Sequence, residues 1–160
     1  MKRDLAKRHL GLGFAIAIAL VVLPACGSDS GGGETSGGGM VDVTLQEFAI
    51  STSSSSVPAG AVTFNVTNDG PDDVHEFVVI RSDLDLTALP TDEDGAVIEA
   101  GEGLEAVDEI EDVAVDASGS LTVDLEPGNY VLICNIVQTE PDGSIEAHYA
   151  EGMRASFTVT

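Results

Sequence analysis

The sequence predicts an all-β protein, one small β-sandwich preceded by a signal peptide and a flexible linker. Three observations predict it. Short runs rich in Val, Ile, Phe and Thr are separated by clusters of Gly, Pro, Asn and Asp. Apolar residues alternate with period two inside those runs. Of the 160 residues, about 120 remain once leader and linker are set aside, a length that suits a single sandwich.

Strands are expected near 41–50, 61–67, 74–81, 119–125, 129–137 and 153–159. Val62, Phe64 and Val66 share one face, as do His75, Phe77 and Val79. Tyr130, Leu132 and Cys134 share another, and Met153, Ala155, Phe157 and Val159 a fourth. Turn chemistry punctuates them at Pro58-Ala59-Gly60, Asn68-Asp69-Gly70-Pro71, Ser118-Gly119 and Pro127-Gly128-Asn129. Residues 82–117 read two ways. Leu104, Val107, Ile110 and Val113 recur every third residue, which suits a helical turn or an irregular acidic strand. Asp92-Glu93-Asp94-Gly95 fails the EF-hand spacing, because Pro90 and Gly101 stand where ligands belong, so it reads as a solvated loop.

Residues 1–25 read as a lipoprotein signal peptide. Lys2, Arg3, Lys7 and Arg8 precede the apolar run 11–25, which is short for a membrane span. Leu23-Pro24-Ala25-Cys26 resembles a bacterial lipobox, which implies lipidation of Cys26 and an extracytoplasmic domain anchored to the cell membrane. Residues 26–40 are Gly/Ser-rich and read as the tether, with the domain over 41–160. Without the leader, only Arg81 and Arg154 are cationic, against a formal net charge of −22 for the whole chain. Such a surface repels nucleic acid, favours a monomer, and suits solvation or a basic partner.

Few residues are left to carry chemistry. Cys134 is the one thiol besides Cys26 and cannot form an intramolecular disulfide, so it is either buried core or bonded to something else. His75 and His148 are the histidines outside the leader, and Met153 is one of two such methionines. Each alone reads as structural. Together, a thiolate, two imidazoles and a thioether are the ligand set of a type 1 copper site.

The order and spacing carry a family resemblance. Gly128-Asn129-Tyr130-Val131-Leu132-Ile133-Cys134 and His148-Tyr149-Ala150-Glu151-Gly152-Met153 resemble the ligand loop of the cupredoxins, the plastocyanin and azurin group of blue copper proteins. Val57-Pro58-Ala59-Gly60 followed by Val62-Thr63-Phe64 resembles their second strand. The resemblance covers roughly 41–160 and implies a Greek-key β-sandwich with one copper ion. It makes His75, Cys134 and His148 the equatorial ligands and Met153 the weak axial one.

Two departures stand out. Thirteen residues separate Cys134 from His148, far more than the family usually has, and Pro141-Asp142-Gly143 suggests that they fold back as a hairpin. Glu76 follows His75 where plastocyanin and azurin carry an Asn that tethers the ligand loop. Phe77, Tyr149 and Val137 are expected around the metal by adjacency.

The implied function is one-electron transfer with an unknown redox partner, and the acidic surface suits a basic one. The alternatives are a copper carrier or buffer without redox turnover, and a metal-free binding domain of the same fold. An enzyme is not expected: no histidines remain for a second copper centre, and there is no catalytic triad or nucleotide loop.

Overall fold

The computed structural model describes residues 37–160. The expected signal peptide, Cys26 and most of the tether lie outside the described residues. In chain order the strands are β1 (Gly38–Gln46), β2 (Ala49–Thr52), β3 (Ser56–Val57), β4 (Gly60–Asn68), β5 (His75–Arg81), β6 (Glu105–Val113), β7 (Ser118–Leu125), β8 (Gly128–Ile133), β9 (Val137–Thr139), β10 (Ile145–Ala147) and β11 (Arg154–Val159), with one helical turn, α1 (His148–Glu151), before the last. No helix among the described residues is long and apolar enough to cross a membrane.

Two sheets face each other. One has the order β2-β1-β4-β7 and the other β3-β11-β8-β5-β6, while β9 and β10 form a separate hairpin. The chain crosses between sheets at β2 to β3, β3 to β4, β4 to β5, β6 to β7 and β7 to β8, which gives the expected Greek-key sandwich. Between them lies a core holding Val41, Val43, Leu45, Val62, Phe64, Val66, Phe77, Val79, Tyr130, Leu132, Cys134, Met153 and Phe157. Phe64 sits at its centre, 5.2 Å from Phe77 and 5.4 Å from Phe157 between ring centroids, in tilted and edge-on arrangements.

The strand faces follow the predicted alternation, with one addition. On β5 and β8 the opposite faces are buried too: Val78, Ile80, Val131 and Ile133 pack beneath Leu89, Val97 and Tyr149. Residues 82–104 therefore form a lid over the outer face of the central strands, and the continuous apolar runs of β5 and β8 are what two-sided burial requires.

Residues 105–113 form a strand, not a helical turn. Its three-residue spacing comes from irregular pairing with β5. His75 faces Val113 and Phe77 faces Ile110, so two residues oppose three, and a second shift falls between Val79 and Ile80. The first bulge adds a residue and sets Ile110 three from Val113, while Val107, the extra residue at the second, is exposed. Asp112 takes the left-handed conformation at the first bulge, with φ of 52°, which Asp tolerates better than most residues.

β1 begins at Gly38, ahead of the expected Val41, and pairs in parallel with β4 from Gly38↔Ala61 onward. Glycine is required there: Gly38 has φ of 101°, and a Cβ on it would collide with the Ala61 carbonyl. The expected strand 41–50 is two strands, since the chain turns at Glu47-Phe48 and β2 returns alongside β1.

Candidate metal centre

The three donor residues arrive on separate elements that end at the same edge of the sandwich. His75 opens β5, Cys134 follows β8, and His148 opens α1. Antiparallel pairing of β5 with β8, Val78 opposite Ile133, brings the start of one beside the end of the other. His148 is returned by the insert. β9 and β10 pair through Val137↔Ala147, and Glu140 and Ser144 close the turn over Pro141-Asp142-Gly143. The predicted hairpin thus leaves and comes back, delivering His148, whose N–H bonds to the Ile136 carbonyl at 2.9 Å.

The donor atoms converge. Cys134 Sγ lies 3.3 Å from His148 Nδ1 and 3.9 Å from His75 Nδ1, and the two Nδ1 atoms are 3.2 Å apart. Donors about 2.0–2.3 Å from a common first-row ion, in tetrahedral or trigonal arrangement, lie roughly 3.4–3.8 Å apart. The triangle has the size that one ion demands.

Met153 joins the same cluster. Its N–H bonds to the His148 carbonyl at 2.9 Å, and its carbonyl accepts the Cys134 N–H at 3.1 Å. His75, Cys134, His148 and Met153 are all fully buried. The turn between His148 and Met153 is closed by Gly152 at φ of 129° and held by Arg154, which donates to the Tyr149 carbonyl and lies over the Tyr149 ring.

The electrostatics suit a metal. Burial pushes the Cys134 thiol up to about 11, despite the backbone N–H groups of Glu76 and Ile136 that favour its thiolate. Burial likewise holds both imidazoles below their ordinary value, so they are neutral donors at neutral pH. A metal ion would displace the thiol proton and compensate the burial of a thiolate. On the side away from the thiol, His75 Nε2 and His148 Nε2 are buried polar atoms with no hydrogen-bond partner.

Glu76 replaces the missing Asn tether. Its Oε1 accepts the Asn135 backbone N–H at 2.7 Å, while its own N–H points at Cys134 Sγ at 3.4 Å. Burial first, and then Glu109, Glu99 and Glu111, raise the Glu76 carboxyl above its usual range. The Asn135 side chain receives the Val97 N–H at 2.6 Å and donates to Val97 O and Glu99, which fastens the lid to the thiol loop.

The expected surroundings need one correction. Phe77 lies in the core beside Cys134 and Met153, and Val137 is half-buried on β9, but Tyr149 turns to the outer face, where its hydroxyl donates to the Leu86 carbonyl. The ring beside His148 is Phe48, edge-on at 5.2 Å between centroids. Two carboxylates also went unforeseen. Glu47 Oε1 lies 3.7 Å from His75 Nε2, and Glu146 Oε1 lies 3.6 Å from His148 Nε2. Glu146 stands two residues before His148, a spacing that could have flagged it; no sequence signal marks Glu47 or Phe48.

Solved structures share this architecture. An auracyanin from Roseiflexus castenholzii superposes with a TM-score of 0.52 at 22% identity, over 76% of this chain and 96% of that one. The chain has the cupredoxin fold. Auracyanin B gives a TM-score of 0.51 at 24% identity, over 76% and 88%. Rusticyanin from Thiobacillus ferrooxidans gives 0.50 at 16%, over 76% of each chain. No family model and no curated sequence matches the chain. Within the cupredoxin fold, the convergence of His75, Cys134 and His148 falls where three loops meet at one end of the sandwich.

Proposed function

We propose that this chain is a blue copper protein that transfers single electrons. The observation that carries the reading is the buried triangle of His75 Nδ1, Cys134 Sγ and His148 Nδ1 at mutual separations of 3.2–3.9 Å. Thiolate and imidazole donors with a thioether nearby select copper over harder ions. Copper, when bound, supplies a one-electron couple.

The protein's part is to hold the donors still and dry. Glu76 and Asn135 lock the thiol loop to β5, the insert presents His148, and the apolar core around Phe77 excludes water. Fixed donors leave little to rearrange when the charge changes, which favours fast exchange. Full burial of all four donors favours retention of the ion over hand-off to an acceptor, so electron carriage suits the site better than copper delivery or catalysis.

A tether through lipidated Cys26 to the outer face of a bacterial membrane and a basic redox partner are part of the same proposal. They rest on Leu23-Pro24-Ala25-Cys26 and on the scarcity of cations beyond the leader. Fatty-acid labelling that disappears in Cys26→Ser tests the anchor.

The decisive experiment adds Cu(II) to the purified domain. The expected result is one copper per chain with an intense visible copper–thiolate band and a narrow EPR hyperfine pattern, both lost in Cys134→Ser. A colourless adduct, or a band that survives in Cys134→Ser, overturns the assignment.

A further inference from the structure

Both imidazoles turn their Nδ1 edges toward the thiol and their Nε2 edges toward a carboxylate. Glu47, in the turn after β1, faces His75 at 3.7 Å, and Glu146, on β10 of the insert, faces His148 at 3.6 Å. The two carboxylates come from unrelated parts of the chain, yet each serves one ligand ring. Their side chains are only 12% and 24% exposed.

Each carboxylate is fixed in place. Glu47 Oε1 accepts the backbone N–H groups of Asp72 at 3.1 Å and Asp73 at 2.7 Å. Glu146 Oε1 accepts from Gln138 Nε2 at 2.8 Å, and the same amide donates to Asp73 Oδ1 at 3.1 Å. Among the described residues, three buried side-chain atoms are left unsatisfied, all belonging to this arrangement: His75 Nε2, His148 Nε2 and Glu47 Oε2.

A neutral imidazole carries one N–H. A metal on Nδ1 therefore places the hydrogen on Nε2, where it needs an acceptor. The facing carboxylates stand a few tenths of an ångström beyond hydrogen-bond length, so a small rotation would close both contacts. Carboxylates that accept from ligand imidazoles orient the rings and make them stronger donors.

Resting on the copper reading above, we infer that Glu47 and Glu146 are positioning residues that bias the site toward its oxidised state and lower its reduction potential. The oxidised site carries one more positive charge, and two part-buried anions at 3.6–3.7 Å from its ligand rings stabilise it preferentially.

The test compares the copper-loaded wild type with Glu47→Gln, Glu146→Gln and Glu146→Asp. Each Gln variant keeps the shape and removes the charge. The expected result is a blue protein whose Cu(II)-to-Cu(I) affinity ratio drops at least tenfold per Gln, which is a rise in potential of about 59 mV for a one-electron couple. Glu146→Asp, which keeps the charge, recovers most of that shift. In the diamagnetic Cu(I) protein, the two Nε2–H protons resonate downfield and exchange slowly, and each Gln variant loses this for its own ring only. Unchanged potentials in blue Gln variants overturn the inference while leaving the copper site standing. A wild type without the blue band overturns both. Should Glu47→Gln fail to fold, Glu146→Gln on the insert decides the matter by itself.

Discussion

The Asn135 backbone N–H donates to Glu76 Oε1 at 2.7 Å, so the residue after the thiol is buckled to the residue after the first imidazole. Because burial and neighbouring acids raise the Glu76 carboxyl, its charged form is costly in the folded state. A folded pKa above the unfolded one means a penalty present at neutral pH that fades as pH falls toward the ordinary value of 4.5. Glu76→Gln keeps the acceptor and is expected to equal or exceed the wild type in stability at pH 7, with the advantage shrinking toward pH 4. Glu76→Ala strands the Asn135 N–H and is expected to cost about 1–3 kcal/mol. Urea titrations at both pH values check this, and a Gln variant weaker than the wild type at pH 7 contradicts it.

Acid should weaken the metal-free domain earlier than carboxylate titration alone would. Burial holds His75 and His148 below their ordinary 6.5, His148 adds to the effect on His75, and the facing carboxylates of Glu47, Asp73 and Glu146 offset part of it. The unfolded chain therefore binds more protons below about pH 6.5, and stability declines as pH falls through that value. Urea midpoints of the apo protein between pH 7.5 and 5 should drop, and the drop should flatten in a His75→Gln/His148→Gln double variant. A slope identical in the two proteins rules the explanation out.

Asn135→Ala removes three bonds that join the thiol loop to the lid, including the acceptor for the Val97 N–H. The expected cost is about 1–3 kcal/mol, with faster amide exchange across residues 91–104. Exchange confined to the insert instead would show that the lid is held by Leu89 and Val97 packing alone.

Phe64 is fully buried between Phe77 and Phe157. Phe64→Ala should cost about 3–5 kcal/mol and loosen the core beneath the metal, seen as a lowered urea midpoint. A loss under 1 kcal/mol would mean that the core collapses into the gap.

The sandwich was legible because its inner faces alternate cleanly, as in Val62, Phe64 and Val66 or Tyr130, Leu132 and Cys134. The donor quartet was legible because few chemically able side chains exist outside the leader. What escaped has physical causes. Val78, Ile80, Val131 and Ile133 stood in plain apolar runs, but their cover, residues 82–104, has no period of its own. Two bulges disguised β6. Glu47 and Phe48 reach the ligands only because the chain turns after β1, a matter of three-dimensional closure that local pattern does not encode.

The parallel pairing of β1 with β4 fixes which way the molecule points. Gly37 enters beside Ala59, and Thr160 leaves there too, its carbonyl taking the Ala59 N–H at 2.9 Å. Both strands then run away from that pole toward the ligands, roughly 30 Å off at about 3.3 Å per residue. An electrode, bead or fused domain joined at either end of residues 37–160 consequently leaves the opposite pole, with its donor cluster, facing outward.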